Sequence, residues 1–344
     1  MIAQPRLTET LKRFVIHDLA RQDGYADFAA DVRAGLSADP KHLFSKYLYD
    51  ELGSQLFEAI CRVDEYYLTR AESEILSGRA DEIVASIPHC TTLIELGSGS
   101  AEKTRRVIEA LLRHQPELLF IPVDISASAL EKSCGALLDS YPRLRIKAYA
   151  ADYFDGLAAL QPLGPGPALM LFLGSNIGNF EKSEAVTFLQ AIRRVLRKGD
   201  ALLLGADLKK DRRSLEAAYN DALGITRAFI LNELARINRE LGGNFELRSF
   251  DLKSIYNEAA ACVEVYLEST RAQTVIIRGL DMSVTLRAGD RIHMEKAYKY
   301  DREALTELAR QSGFVLARTW LDHRQRFSSN LFLASEFGSL SAAN

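Results

Sequence analysis

Leu93-Ile94-Glu95-Leu96-Gly97-Ser98-Gly99-Ser100-Ala101-Glu102-Lys103-Thr104 is the stretch whose reading decides the fold. An apolar run enters a turn with two glycines, and Val107, Ile108, Leu111 and Leu112 follow at helical spacing. A buried strand, a tight loop and a helix in that order open a doubly wound α/β domain. The glycines let the loop backbone approach a ligand closely, and the start of the helix offers free N–H groups.

A dinucleotide fingerprint would need a third glycine where Glu102 stands, so pyrophosphate binding is disfavoured. Glu-x-Gly-x-Gly, with a second acid at the end of the next strand, suits a nucleoside ligand without pyrophosphate, of which S-adenosylmethionine is the common one. That second acid is Asp124, closing Leu119-Phe120-Ile121-Pro122-Val123-Asp124. A carboxylate there can accept from both ribose hydroxyls.

Outward from this unit the α/β alternation continues. Arg145 to Tyr149 reads as a third strand, ending at Asp152-Tyr153. An acid in that place typically meets the adenine amino group, and the competing reading is a helix N-cap. The fourth strand, Ala168 to Leu173, runs into Gly174-Ser175-Asn176-Ile177-Gly178-Asn179-Phe180, and the fifth covers Ala201 to Asp207. The first and fourth strands flank the topological switch point, beyond whose carboxyl ends ligands bind. The loop ending at Asn179 is therefore expected to face the cofactor.

Elsewhere the pattern differs. Residues 1–45 read as polar and helical, with Leu11, Phe14, Val15 and Leu19 on one stripe. Tyr47, Tyr49, Tyr66 and Tyr67 are dense enough either to fill a half-buried surface or to grip a cation with π faces and hydroxyls. Thr69-Arg70-Ala71-Glu72 reads as a capping box. From about Arg212 to Leu241 one or two long helices carry Leu215, Tyr219, Leu223, Phe229 and Leu234. Beyond Gly242-Gly243 the period becomes two, predicting an antiparallel insert with turns near Gly279 and Gly289. Its last strand, Arg291 to Tyr298, is expected to put His293, Glu295 and Ala297 on one face. The α/β pattern then returns. The doubly wound domain thus takes residues 72–209 and 298–337, and a second domain takes 10–71 and 210–297.

The 344 residues, 47% hydrophobic and 26% charged, suffice for a large core. A net charge of -3 without a basic tail points away from nucleic acid and membrane surfaces. Cys61, Cys90, Cys134 and Cys262 have no paired spacing, so neither a metal site nor a disulfide framework is expected. With no signal peptide and no apolar run of membrane length, the expected location is the cytoplasm.

Several motifs in order carry a resemblance. Gly97 to Thr104, Pro122-Val123-Asp124-Ile125-Ser126, Gly174 to Asn179 and Glu295-Lys296-Ala297-Tyr298-Lys299-Tyr300 are similar to those of the histidine-specific Nα-methyltransferases of ergothioneine synthesis. Leu48-Tyr49-Asp50, Gly53-Ser54, Glu65-Tyr66-Tyr67 and Thr69-Arg70 match as well, so the resemblance runs from about Tyr47 to Phe332. It implies a class I S-adenosylmethionine-dependent methyltransferase fold, Rossmann-like, with a second α+β substrate domain formed by the N-terminal segment and an insertion. It also implies trimethylation of the α-amino group of L-histidine to hercynine. By motif, the cofactor would meet Tyr49, Gly97, Lys103, Asp124, Asp152 and Tyr153. The amino acid would meet Tyr66, Gly174, Asn179, Tyr219, Val265, Glu295, Lys296 and Ala297, with Tyr66, Asn179 and Tyr219 nearest the chemistry.

Two positions depart from the family. Ala297 stands where serine is usual, and Val265 where a methionine is known. Both bear on the substrate ring. Tryptophan or another aromatic amino acid is therefore the neighbouring alternative, and a non-catalytic S-adenosylmethionine-binding module is a more distant one. Nucleic-acid methylation lacks its Asn/Asp-Pro-Pro-aromatic motif after the fourth strand. On inward-facing strand residue Glu295, a carboxylate can accept an imidazole N–H; without the resemblance it reads as a strand glutamate paired with Lys296 or Lys299. Methyl transfer from a sulfonium needs mainly alignment of donor and neutral amine, so no metal is expected. Nothing in the sequence calls for an obligate protein partner.

Overall fold

The computed structural model describes residues 13–19, 24–160 and 163–334. In chain order the elements are β1 (Phe14–Asp18), α1 (Gly24–Ser37), α2 (Glu51–Ile60), α3 (Leu68–Ala85), β2 (Thr92–Leu96), α4 (Thr104–His114), β3 (Leu118–Asp124), α5 (Ala127–Ser140), β4 (Leu144–Ala150), α6 (Tyr153–Ala159), β5 (Ala168–Phe172), α7 (Lys182–Val195) and β6 (Ala201–Asp207). They continue as α8 (Arg212–Ala218), α9 (Ile225–Leu241), β7 (Phe250–Asn257), β8 (Cys262–Ser269), β9 (Gln273–Ile277), β10 (Met282–Leu286), β11 (Arg291–Tyr298), α10 (Arg302–Gln311), β12 (Phe314–Leu321) and β13 (Phe327–Ala334). The chain divides into two compact units, one of residues 1–20, 71–208 and 300–344, the other of residues 21–70 and 209–299.

The first unit holds one sheet in the order β1-β4-β3-β2-β5-β6-β13-β12. Strands β1 to β6 pair in parallel, and β13 runs antiparallel to both β6 and β12. Every residue of β2, β5 and β6 is buried, as continuous apolar runs must be when helices cover both faces of a parallel sheet. The order reverses between β2 and β5, which are neighbours, so the loops after these strands leave the sheet side by side at the switch point.

Residues 14–18 correct the helical reading of the N-terminal stretch. They form an edge strand of the first unit's sheet, from Phe14 opposite Ile146 to Asp18 opposite Ala150, and not part of the second domain. Phe14 and Ile16 are half-buried while Val15 and His17 are exposed, the alternation of a one-sided edge. Leu11 of the proposed stripe lies outside the described residues.

The second unit carries a three-stranded sheet, β11-β8-β7, and a separate hairpin, β9-β10. The helical run from Arg212 breaks in two at residues 219–224. Asp221 accepts the N–H groups of Ile225 at 3.0 Å and Thr226 at 2.7 Å, which starts α9 afresh. Tyr219 is consequently the residue that closes α8 rather than a position inside a long helix.

Candidate active site

Gly97 sits at φ 73°, and a Cβ there would lie 2.9 Å from the Tyr153 hydroxyl and 3.4 Å from Nδ2 of Asn176. Glycine is required at this point by both conformation and space. The same contact shows that the loops after β2 and β5 meet. Asp124 at the end of β3 accepts the Gly99 N–H at 2.9 Å and the Ser126 N–H at 3.0 Å. Burial pushes its carboxyl above the usual range against those two bonds.

Glu95, on β2, is 3% exposed. The Thr104 hydroxyl donates to its Oε1 at 2.6 Å, while Oε2 is buried without a hydrogen-bond partner. Burial pushes this carboxyl up to about 8. A buried polar atom left open beside a glycine loop suits a polar ligand arriving from outside.

Tyr153 packs edge-on against Phe172 at 5.4 Å and tilts over Phe188 at 5.5 Å. Burial, and then the Asp124 charge, raise its hydroxyl's pKa. Asp152 is the N-cap of α6, taking the N–H groups of Phe154 and Asp155 through Oδ1 alone. Asn179 is exposed at the end of the turn Asn176–Asn179, so it is Asn176 whose amide lies against the glycine loop.

Glu72 corrects the capping-box reading. Its carboxylate turns into the sheet's end, accepting the Gly174 N–H at 2.9 and 3.0 Å and pairing with the Lys103 ammonium. Lys103 and Gly174, both expected at the site, are thus joined through one fully buried acid.

In the second unit Tyr66 packs edge-on against Phe57 at 6.1 Å and against Tyr219 at 6.4 Å. Burial, and then the neighbouring Tyr219, Cys61, Tyr49 and Glu295, hold the Tyr66 hydroxyl protonated well above its ordinary range. Lys299, 3% exposed, donates to the Tyr219 hydroxyl at 2.8 Å. Tyr49 packs against Phe57 and Phe229, each at 5.4 Å. Tyr67 instead receives the Lys210 ammonium on its hydroxyl at 2.6 Å.

The face expected of His293, Glu295 and Ala297 is only partly right. A bulge between His293 and Glu295 sets His293 opposite Tyr266 but Glu295 opposite Val265. Tyr266 and Val265 point to opposite sides of β8, so His293 leaves the face that Glu295 and Ala297 share. Its ring lies edge-on to Tyr266 at 5.3 Å. Lys296, opposite Glu264, is also on the far face. On the shared face Val265 and Ala297 are buried, and burial lifts Glu295 to about 7 against the opposing pull of Lys299. Ser254 pairs with Val265 from β7, so it joins the same face, and its Oγ is buried with no partner. That face therefore offers an acid, a hydroxyl and two small apolar side chains.

Glu72, Asn176 and Ser254 are what sequence reading missed. Glu72 matches a capping motif of its own helix, Asn179 is the more prominent asparagine of its loop, and nothing local marks Ser254. Its significance comes from the register of a neighbouring strand.

A family model described as histidine-specific methyltransferase, SAM-dependent, matches residues 28–334. The chain is 39% identical over 318 residues to histidine N-alpha-methyltransferase of Mycobacterium tuberculosis, covering 92% of this chain and 98% of that one. It is also 39% identical over 303 residues to the protein of that name from Mycolicibacterium smegmatis, covering 88% and 93%. A match of 33% identity to ergothioneine biosynthesis protein 1 of Neurospora crassa covers 82% of this chain and 32% of that longer protein.

Proposed function

The chain belongs to the S-adenosylmethionine-dependent, histidine-specific methyltransferases, and from that premise we propose that it trimethylates the α-amino group of L-histidine to hercynine, a step of ergothioneine synthesis. The observation that carries the reading beyond the family match is the meeting of two strand-end loops, with Tyr153 and Asn176 closed onto Gly97.

Bound S-adenosylmethionine supplies a methyl group activated on its sulfonium. The described residues fit such a ligand: a cradle at Gly97 that no side chain could share, the Asp124 carboxylate for ribose hydroxyls, and an open buried carboxyl oxygen on Glu95. Tyr153 and Asp152 are assigned to the adenine end and Lys103 to the polar tail. The protein's task is then alignment, because the leaving group needs no further activation.

The amine must present a lone pair, so it reacts as the free base after losing its proton to water. Asn179 orients it, since an amide both donates and accepts. Tyr66 and Tyr219 are assigned to the amino acid's polar end, where their π faces tolerate an amine that grows bulkier and loses N–H bonds with each transfer. A cation on such a face gains ~0.5–2 kcal/mol. Glu295 accepts an imidazole N–H, Val265 and Ala297 bound the ring, and Gly174 shapes the loop after β5. Tyr49 is assigned to the cofactor. Lys296, on the opposite face from Glu295, supports this strand rather than the ring.

No helix among the described residues is long and apolar enough to cross a membrane. The four cysteines are free, in keeping with an enzyme of the reducing cytoplasm acting on a small molecule. Steady-state methylation of free L-histidine against L-tryptophan tests the reading, and higher kcat/KM for histidine is expected. Preference for tryptophan would move the substrate to the neighbouring aromatic class. Retention on immobilised S-adenosylhomocysteine without turnover of any amino acid would leave a binding module.

A further inference from the structure

We infer that Glu72 is a positioning residue that locks the cofactor loop and the fourth-strand loop into one geometry, so that both ligands depend on it. The inference takes its ligands from the proposed function, but its geometry stands apart from that reading. Glu72 is 0% exposed. Both its oxygens lie within hydrogen-bond distance of the Gly174 N–H, and Oε2 also holds the Lys103 ammonium. Lys103 is the N-cap of α4, the helix that follows the glycine loop, and Gly174 opens the loop after β5. One carboxylate therefore fastens the two loops that flank the switch point.

The space for it is built from a third element. A Cβ on Gly205, within β6, would fall 2.1 Å from Glu72 Oε1 and 3.3 Å from the Gly174 nitrogen. Strand interiors disfavour glycine except where another group must come close, and here the group is this carboxylate. A buried charge persists only with a partner, and Lys103 is that partner, its side chain 24% exposed at the loop. The lysine is thereby aimed by Glu72 before any ligand arrives. The Gly174 N–H, spent on the same acid, fixes where the backbone of the loop toward Asn179 begins. Glu72 itself is sealed from solvent and acts through these two groups.

The test is Glu72→Gln, which keeps an acceptor for Gly174 but removes the charge that holds Lys103. Titration calorimetry with S-adenosylhomocysteine should show binding weakened about tenfold or more, the size expected for loss of a charged hydrogen bond. The amino-acid KM should rise in Gly205→Ala, which draws the carboxylate off Gly174 as well as off Lys103. Lys103→Met should weaken the same binding, and the double variant should be no worse than the more affected single one, because both break one link. Gly205→Ala displaces the carboxylate without altering its charge, and it carries the test if Glu72→Gln does not fold. Wild-type affinity for S-adenosylhomocysteine in a folded Glu72→Gln protein, or fully additive losses in the double variant, would overturn the inference. The binding measurement needs no methylated product, so failure of the histidine reading would show separately as absent turnover in the unaltered enzyme.

Discussion

Glu295 lies directly opposite Val265 in the pairing of β11 with β8, so an acid and a small aliphatic side chain share one face of the second unit's sheet. Ala297 continues that face two residues on, and Ser254 joins it from β7. Under the proposed function this is the surface that reads the substrate ring.

Glu295→Ala is expected to lower kcat/KM for histidine about tenfold or more, since a hydrogen bond to a charged group contributes ~1.5–3 kcal/mol. The KM for S-adenosylmethionine should be unchanged. Steady-state kinetics with each substrate varied in turn checks both, and equal histidine kinetics in variant and parent would remove Glu295 from the ring site.

Ala297→Ser adds a hydroxyl on the face of Glu295, within a strand pair that already accepts small side chains. A neutral hydrogen bond contributes ~0.5–1.5 kcal/mol, so histidine KM should fall several-fold. A rise instead would mean that the buried position has no room or no partner for the hydroxyl.

Burial sets Glu295 at about 7 in the protein without ligands, and only its ionised form accepts from an imidazole N–H without offering a proton in return. Histidine binding should strengthen as pH rises through about 7, and Glu295→Gln should remove that inflection. Binding titrations between pH 5.5 and about 8.5 decide the point. A Glu295→Gln profile identical to the parent's would assign the inflection to another group.

Asp124→Ala should weaken the cofactor more than the amino acid, because it removes both the proposed ribose acceptor and the bonds that hold the Gly99 and Ser126 N–H groups. An unchanged dissociation constant for S-adenosylhomocysteine would refute the assignment.

Glu95 gives a stability prediction with a definite sign. Its folded value of about 8 stands above the ordinary 4.5, so between those pH values the folded chain keeps a proton that the unfolded chain has lost. Stability of the ligand-free protein should therefore fall as pH rises from about 4.5 to about 8, and Glu295 adds the same sign up to about 7. Glu95→Gln should flatten the slope in denaturant titrations. A slope equal to the parent's would mean that Glu95 is ionised in the folded state.

The glycine loop, Asp124 and the strand after the Pro/Gly stretch were readable because each is local: a run of apolar residues, a turn and an acid at a strand end. What escaped was set by distant pairing. Phe14 to Asp18 is a strand because β4 offers an open edge, and a five-residue segment carries too little periodicity to announce it. The bulge beside Met294 cannot be seen in β11 alone, yet it reverses His293 relative to Glu295. Glu72 matches a capping pattern, but the half-buried Lys103 and a loop N–H compete for its carboxylate and win. The sequence leaves one or two helices open after Arg212, and Asp221 decides for two by accepting the first N–H groups of α9.

The central claim, that a free amino acid's α-amine accepts methyl groups at the junction of the two strand-end loops, is tested most directly by mass spectrometry. The enzyme is incubated with S-adenosylmethionine and a mixture of free amino acids. The account predicts that histidine gains one, two and finally three methyl groups on its α-nitrogen, and that Asp124→Ala slows all three gains. Unmethylated histidine after complete incubation, with S-adenosylhomocysteine bound normally, would contradict it.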